Sequence, residues 1–254
     1  MRYSVVLFDL DGTLLDTLDD LWDAVNFALS NQGLPMRTRD EVRNFIGNGI
    51  LKLMERAVGS VSAPNVDMDA VMSDFKHFYG AHCEDKTAPY DGVLPLLKEL
   101  RARGVRIGIV SNKADFAVQK LSKSYFGGLV DVAIGENEVS GIRKKPAPDT
   151  LIAAIEAIEA LNRSENEKAC CKDVCSLAQR GVKGSLVDPE GIGKIASKNV
   201  VYVGDSEVDI QTAKNAGVDC FSVTWGMKDR VFLIENGASV LVDTVEELFA
   251  ALQK

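Results

Sequence analysis

The segment that decides the fold is SVVLFDLDGT, residues 4–13. Ser4 to Phe8 form an apolar run with the length and composition of a buried strand. The run stops at Asp9, and a second carboxylate follows at Asp11 before Gly12-Thr13 turn the chain. A strand that is apolar on both faces belongs inside a covered sheet. The acidic residues past its end therefore predict a site at the edge of that sheet.

Beyond a turn at residues 89–92, apolar strands alternate with helices. The predicted strands are Val105–Val110, Val130–Ile134, Val200–Val203, Cys220–Val223 and Val240–Val242. This alternation predicts an α/β fold with a doubly wound, parallel, Rossmann-like sheet. Residues 16–85 instead show helical spacing without strand alternation. We therefore expect an all-helical domain, residues 16–85, inserted into a core domain of residues 1–15 and 86–254.

One connection in the core, residues 162–199, is unusually long. The pattern Ser164-x-x-Glu167 is typical of a helix start and predicts a helix over residues 165–180. Three cysteines fall nearby, but both histidines of the chain lie in the helical domain, so free thiols are favoured over a zinc site. The connection begins and ends away from the predicted site. We expect it to be neutral decoration or a contact surface for another protein or a second copy.

The charge balance excludes some classes of partner. The 254-residue chain carries a formal net charge of −8, which disfavours nucleic acid and anionic membrane surfaces. The first apolar run is too short for a signal segment or a spanning helix. The five cysteines have no framework-like spacing. These features predict a cytoplasmic protein that acts on a small molecule.

Three predicted strands end in polar side chains, namely Asp9, Ser111 and Asp205. Because ligands bind outside the carboxyl ends of parallel strands, these groups are expected to converge. Asp11 and Asp209 would bring the number of clustered carboxylates to four. Such a cluster repels itself unless a cation is present, and Mg²⁺ prefers oxygen ligands and a phosphate partner.

In chain order, four motifs resemble those of the haloacid dehalogenase-like phosphohydrolases. They are Asp9-Leu-Asp11-Gly12-Thr13, Ser111 followed by Asn112, Lys145 in Lys145-Pro-Ala-Pro-Asp149, and Gly204-Asp205-Ser-Glu-Val-Asp209. The resemblance covers nearly the whole chain except residues 162–199. It implies a phosphatase in which Asp9 is the covalent nucleophile and Asp11 the general acid and base.

The resemblance also implies roles for the remaining motif residues. Ser111 would bind a phosphoryl oxygen, and Lys145 would neutralise charge in the transition state. Mg²⁺ would be held by the Asp9 side chain, the Asp11 backbone carbonyl and Asp205, with Asp209 in support. Mutase relatives carry a histidine where this chain has Leu21, and phosphonate-cleaving relatives carry a lysine where it has Ile50. Both differences favour simple hydrolysis.

The helical domain resembles a C1-type cap, and residues 45–49 (FIGNG) resemble the cap loop of phosphoglycolate phosphatases. We expect Asn48 to bind the polar end of a small acid phosphate such as phosphoglycolate, with Gly12, Thr13 and Asn112 as further substrate contacts. A nucleotide or pyrophosphate phosphatase is the alternative function. A non-catalytic scaffold protein is less favoured because all four motifs are intact.

Simpler interpretations of individual residues remain open. Ser111 and Asp209 each have the position of a helix-capping residue. Asn48 fits an ordinary turn. Lys144 competes with Lys145 for the same role, since both lie in a short basic run.

Overall fold

A computed structural model describes residues 1–59, 66–137, 141–173 and 199–254, and for residues 166–173 it describes the backbone course alone. Its strands are β1 Val5–Phe8, β2 Leu15–Asp16, β3 Ala88–Pro89, β4 Arg106–Ala114, β5 Val132–Glu136, β6 Val200–Gly204, β7 Asp219–Val223 and β8 Leu241–Val242. Its α-helices are α1 Leu18–Asn31, α2 Arg39–Phe45, α3 Ile50–Val58, α4 Met68–His82, α5 Val93–Ala102, α6 Asp115–Phe126, α7 Asp149–Asp173, α8 Glu207–Ala216, α9 Arg230–Glu235 and α10 Val245–Gln253.

Six parallel strands form the central sheet in the order β5-β4-β1-β6-β7-β8. Strand β1 lies in the middle, between β4 and β6, and Val6, Leu7 and Phe8 are fully buried. Core helices cover both faces of the sheet, since Leu7 and Phe8 belong to separate apolar clusters. The predicted doubly wound α/β fold is confirmed, and β1, β4 and β6 bring their carboxyl ends to one edge.

Helices α1 to α4 lie between the two halves of a short antiparallel ladder. Strand β2 leaves the core and β3 returns to it, with Leu15 opposite Pro89 and Asp16 opposite Ala88. Helix α1 packs against α2, α3 and α4. Their apolar faces join the core cluster through residues such as Val25 and Phe75. The ladder thus marks where the chain leaves the core and returns to it, close to the predicted bounds of the helical domain, which stay a prediction.

Strand β4 and helix α7 both run further than the sequence predicts. Strand β4 continues to Ala114 instead of ending at Val110. Helix α7 runs unbroken from Asp149 to Asp173, so the helix start predicted at Ser164 is wrong. The Ser164 hydroxyl donates to the Leu161 carbonyl at 2.9 Å, a bond within the helix. A capping-box pattern also fits a helix interior when strong helix formers surround it.

The long connection begins and ends at the edge of the sheet opposite Asp205. Asn199 directly precedes β6, and its carbonyl accepts from the Ser4 backbone amide at 3.0 Å. Residues 174–198, with the last part of the predicted helix and one of its cysteines, lie outside the described part of the chain, as do the side chains of the other two cysteines. A contact surface there stays a prediction. None of the described helices is long and apolar enough to cross a membrane.

Candidate active site

A cavity lies between the carboxyl edge of the sheet and the inserted helices. The core lines it with Asp9, Asp11, Ser111, Asn112, Lys113, Lys145, Asp205, Ser206, Met227 and Lys228. The helical domain supplies Leu21, Ile46, Gly47, Gly49, Ile50, Leu53 and Tyr79. The wall formed by the core is therefore charged, whereas the wall formed by the helices is mainly apolar.

Asp9 lies at the carboxyl end of β1, where its backbone amide donates to the Val203 carbonyl at 2.8 Å. Its Oδ1 accepts from the Leu10 amide at 2.7 Å and lies 3.0 Å from the Lys145 ammonium. Burial raises the pKa of Asp9 to about 6, although the charge of Lys145 opposes the shift. The carboxylate is thus held in place with a cation beside it, an arrangement that suits an oxygen nucleophile.

Lys145 is almost completely buried and binds three groups. Its ammonium contacts Asp209 at 2.7 Å, the Tyr202 hydroxyl at 2.9 Å and Asp9 at 3.0 Å. Burial alone would lower the pKa of Lys145, but Asp209 and Asp9 outweigh that effect and raise it. Lys144 instead pairs with Glu136 at 2.9 Å. The structure therefore assigns the predicted cation to Lys145.

Asn112 holds the Lys145 backbone in place. Its Oδ1 accepts from the Lys145 amide at 2.8 Å, and its Nδ2 donates to the Lys145 carbonyl at 2.9 Å. The same Nδ2 donates to the Gly47 carbonyl of the cap loop at 3.1 Å. Both donors of this amide are occupied. These bonds hold Lys145 in position, and the predicted contact of Asn112 with the substrate stays a prediction.

Asp205 lies at the end of β6 against two loops. Its Oδ2 accepts from the Met227 amide at 2.6 Å, and its Oδ1 lies 3.4 Å from the Thr13 hydroxyl. A Cβ on Gly12 would come within 2.3 Å of Oδ2, and a Cβ on Gly226 within 2.4 Å. Burial raises the pKa of Asp205 well above its usual value, and repulsion from Asp209 and Asp9 adds to the shift.

Asp9, Asp205 and Asp209 form a buried acidic cluster with one oxygen from each carboxylate within 4.8 Å of the others. Asp209 accepts from Lys145, Tyr202, and both the amide and the hydroxyl of Ser206. Its four contacts occupy both oxygens. Asp9 Oδ2, in contrast, has no hydrogen bond in the part of the chain that the structure describes. The cluster fits a divalent cation held by Asp9 and Asp205, with Asp209 behind them.

Asp11 has different neighbours from Asp9. Its Oδ1 accepts from the Thr17 hydroxyl at 2.7 Å and from the Lys113 ammonium at 2.8 Å. Lys113 also contacts Oδ2 at 3.1 Å and lies 4.7 Å from the centre of the Tyr79 ring. Burial alone would lower the pKa of Lys113, but the charge of Asp11 outweighs that effect and raises it. Two carboxylates two residues apart thus occupy separate electrostatic environments.

Three comparisons with known proteins agree with this geometry. A family model described as haloacid dehalogenase-like hydrolase matches residues 3–217. The chain belongs to this family. Phosphoglycolate phosphatase 1 of Pseudomonas aeruginosa is 27% identical over 248 residues, which cover 96% of this chain and 78% of that protein. Phosphoglycolate phosphatase of Escherichia coli K12 is 28% identical over 267 residues, covering 97% and 91%.

A solved structure of a putative phosphoglycolate phosphatase from Lactobacillus delbrueckii subsp. bulgaricus is also similar. It is 34% identical, with a TM-score of 0.75, and the match covers 99% of both chains. With the family match, these relatives identify the chain as a phosphatase of the haloacid dehalogenase-like hydrolases. Phosphatases of this family generally use a divalent metal, in agreement with the buried acidic cluster.

Not every predicted site residue of this phosphatase reaches the cavity. Asn48 accepts through Oδ1 from the Arg56 guanidinium at 2.6 Å in an exposed position and does not line the cavity. The structure thus shows Asn48 in a contact within the helical domain, and its contact with the substrate stays a prediction. Gly12 and Thr13 lie against Asp205, so the structure relates them to the acidic cluster. Their contact with substrate stays a prediction.

Ser111 lines the cavity within strand β4, and its hydroxyl accepts from the Lys113 amide at 3.4 Å. It is not a helix cap, because α6 begins after Ala114. Asp209 caps the Ser206 amide and also belongs to the buried acidic cluster, and its role at a metal stays a prediction.

Sequence reasoning missed Lys113, Tyr79 and the loop at Gly226 and Met227. The two-residue period of β4, which gives Ser111 and Lys113 the same face, was the available signal for Lys113. Tyr79 lies on a helix of the inserted domain, and no local pattern distinguishes it from an ordinary core residue.

Proposed function

We propose that this phosphatase is a Mg²⁺-dependent phosphomonoester hydrolase that forms an aspartyl-phosphate at Asp9. Its substrate is phosphoglycolate or a similarly small acid phosphate. The observation that carries the proposal is the position of Asp9, which lies in the cavity 3.0 Å from Lys145 and within reach of Asp205. A buried carboxylate with a fixed cation beside it is suited to attack on phosphorus.

In the first step, an oxygen of Asp9 forms a bond to phosphorus while the bond to the ester oxygen breaks. Asp11 gives a proton to the departing alkoxide, and Lys145 balances the negative charge that spreads over the phosphoryl oxygens. In the second step, Asp11 takes a proton from water as the water oxygen attacks phosphorus. Asp9 is released with its two oxygens, and inorganic phosphate leaves. Ser111 is positioned to hydrogen-bond a phosphoryl oxygen in both steps.

The metal would be held by Asp9 and Asp205, with Asp209 supporting them. Burial is the main cause that raises the pKa of Asp9 and Asp205, and repulsion between the carboxylates adds to it, so a bound cation would offset both effects. When bound, Mg²⁺ supplies positive charge that offsets the repulsion between the nucleophile and an incoming phosphate. The third contact expected from the Asp11 backbone carbonyl stays a prediction.

The cap wall supports a small substrate. Leu21, Ile50 and Leu53 line the cavity facing the charged groups of the core. Apolar side chains that line the cavity exclude water from it, and they offer few polar partners to a large leaving group. The similar proteins of Pseudomonas aeruginosa and Escherichia coli are named phosphoglycolate phosphatases, which supports the same substrate here.

The proposal is tested by steady-state assays with Mg²⁺ on 2-phosphoglycolate, adenosine monophosphate, pyrophosphate and p-nitrophenyl phosphate. We expect the highest kcat/KM for 2-phosphoglycolate and no turnover by Asp9→Asn. Asp19→Asn is the matched control, because Asp19 pairs with Arg39 and does not line the cavity. Preference for the nucleotide or pyrophosphate would refute the proposed substrate. Full activity of Asp9→Asn would refute the proposed nucleophile.

A further inference from the structure

Lys113 is a buried cation that the phosphoryl-transfer steps do not use. Its side chain is 3% exposed and lines the cavity on the side of Asp11. Lys145, in contrast, is committed to Asp9 and Asp209. The cavity therefore has one lysine at the reacting phosphate and a second lysine at a separate place.

Tyr79 adds an independent observation at the same place. It is 1% exposed, and its hydroxyl has no hydrogen-bond partner in the part of the chain that the structure describes. Tyr79 lines the cavity, and its ring lies beside the Lys113 ammonium. Buried hydroxyls almost always have a partner. The Tyr79 hydroxyl lacks a well-formed hydrogen bond and lies near the Lys113 ammonium in a residue that lines the cavity, so a ligand atom bound to Lys113 is suited to complete its hydrogen bonding.

Holding Asp11 in place does not by itself require a buried lysine. The Thr17 hydroxyl already donates to Asp11 at 2.7 Å. A neutral donor in place of Lys113 would complete that task without the cost of burying a charge. An ammonium has three donors, however, and it also cancels the charge of Asp11. A second anionic group of a substrate can then approach this side of the cavity without net repulsion.

We propose that Lys113 and Tyr79 form the binding subsite for a carboxylate at the non-phosphate end of the substrate, with Lys113 as the specificity-determining residue. The Lys113 ammonium and the Tyr79 hydroxyl both donate to the carboxylate. Leu21 and Leu53 in the same cavity exclude water, which strengthens the charge pair. The proposal rests on the proposed function, because it presumes a phosphate ester at Asp9.

The test compares two esters of similar size, 2-phosphoglycolate and 2-hydroxyethyl phosphate, which differ in a carboxylate against a neutral hydroxymethyl group. The readout is the kcat/KM for 2-phosphoglycolate divided by the kcat/KM for 2-hydroxyethyl phosphate. Lys113→Met is expected to lower the ratio roughly ten- to hundred-fold, the loss of one charged hydrogen bond. Tyr79→Phe should lower it less, because it removes a neutral donor.

Lys228→Met is the matched control. Lys228 also lines the cavity, but it is more exposed, and its ammonium faces the Asn44 carbonyl and the Phe232 ring. We expect this variant to keep the wild-type ratio. An equal fall in kcat/KM for both esters with Lys113→Met would overturn the proposal, since it would mean that Lys113 acts only through Asp11. A ratio that stays at the wild-type value with Lys113→Met would overturn it as well.

Binding to the inactive Asp9→Asn protein separates recognition from turnover. Calorimetry with Mg²⁺ should show weaker binding of 2-phosphoglycolate when Lys113→Met is added, with little change for 2-hydroxyethyl phosphate. Equal binding of 2-phosphoglycolate with and without Lys113→Met would contradict the subsite. If the wild type turns over both esters equally, the proposed substrate and the subsite both fail. If the wild type prefers 2-phosphoglycolate and Lys113→Met keeps that preference, only the subsite fails.

Discussion

Asp9 and Asp11 are identical side chains two residues apart, yet the structure gives them different partners. Asp9 faces Lys145 and the acidic cluster, whereas Asp11 faces Thr17 and Lys113. The first environment suits a carboxylate that attacks phosphorus beside a metal. The second holds Asp11 in an ion pair with Lys113, apart from the acidic cluster. The proposed division of labour therefore depends on neighbours that are distant in sequence.

Replacing Asp11 with Asn should separate the two chemical steps. We expect kcat for 2-phosphoglycolate to fall roughly 10²- to 10⁴-fold, because its alkoxide needs a proton to leave. p-Nitrophenolate needs no such proton, so p-nitrophenyl phosphate should still give a rapid burst of product before slow turnover. Stopped-flow absorbance measures the burst. A variant that shows no burst but retains slow steady turnover would contradict the assignment of Asp11.

Two asparagines test what the observed side-chain contacts contribute. Asn112→Ala should lower kcat and destabilise the protein by about 1–3 kcal/mol, because it leaves the Lys145 amide and carbonyl without partners. Asn48→Ala should keep the wild-type KM and kcat, because Asn48 contacts Arg56 outside the cavity. Steady-state kinetics and chemical denaturation measure both variants. A large rise in KM with Asn48→Ala would restore the original prediction.

At the scale of elements, the turn after β1 brings Asp205 to its place. Gly12 has a φ of +83°, and a Cβ there would lie 2.3 Å from Asp205 Oδ2. Gly33 also has a positive φ, +65°, but has nothing within 4 Å of its Cβ position. A side chain at either glycine would therefore strain the backbone. Only a side chain at Gly12 would also clash with the acidic cluster.

Gly33→Ala should cost roughly 1–2 kcal/mol of stability, the strain of a left-handed residue, and leave activity unchanged. Gly12→Ala should have the same cost in stability and should also displace Asp205, which raises the Mg²⁺ concentration needed for half-maximal activity. Metal titrations of the two variants measure the difference. Wild-type metal dependence in Gly12→Ala would show that the turn does not position Asp205.

The elements that the sequence predicts well are those with a local pattern. Strands β1 and β6 are apolar throughout and end at Asp9 and Asp205, so both their burial and their common edge could be predicted. Helix α7 shows the limit, since a capping-box pattern at Ser164 is compatible with a helix interior. The side-chain pairs of the site, such as Lys113 with Asp11, join residues 102 positions apart and leave no local signal.

At the scale of the whole molecule, the helical domain closes over the core through loop contacts. Asn112 donates to the Gly47 carbonyl at 3.1 Å, and the Lys228 ammonium lies 3.5 Å from the Asn44 carbonyl. These contacts join the two domains around the cavity, and each domain contributes part of its wall. The lining of the cavity therefore comes from both the core and the inserted helices.

The buried acidic cluster also predicts how stability depends on pH. Burial raises the pKa of Asp9 from 3.8 to about 6, and the pKa of Asp205 also rises. Between pH 3.8 and about 6, Asp9 is therefore mostly protonated in the folded state and mostly ionised in the unfolded state. The contribution of Asp9 is therefore fully present below about pH 4 and is lost as the pH rises through about 6. A bound divalent metal offsets this loss.

Chemical denaturation with EDTA and with Mg²⁺ measures this dependence. We expect Mg²⁺ to raise the free energy of unfolding more at about pH 7.5 than at about pH 5. Asp9→Asn should show a shallower pH dependence in EDTA, because it removes one of the titrating groups. An effect of Mg²⁺ that is equal at both pH values would contradict the charge deficit assigned to the cluster.

The central claim, covalent attack by Asp9, has a direct measurement. The enzyme is mixed with 2-phosphoglycolate and Mg²⁺, quenched in acid during turnover, reduced with borohydride and mapped by peptide mass spectrometry. An acyl phosphate is reduced to the alcohol, so the account predicts homoserine at position 9 and unmodified aspartate at position 11. Reduction at Asp11, or none at either residue while turnover proceeds, would contradict it.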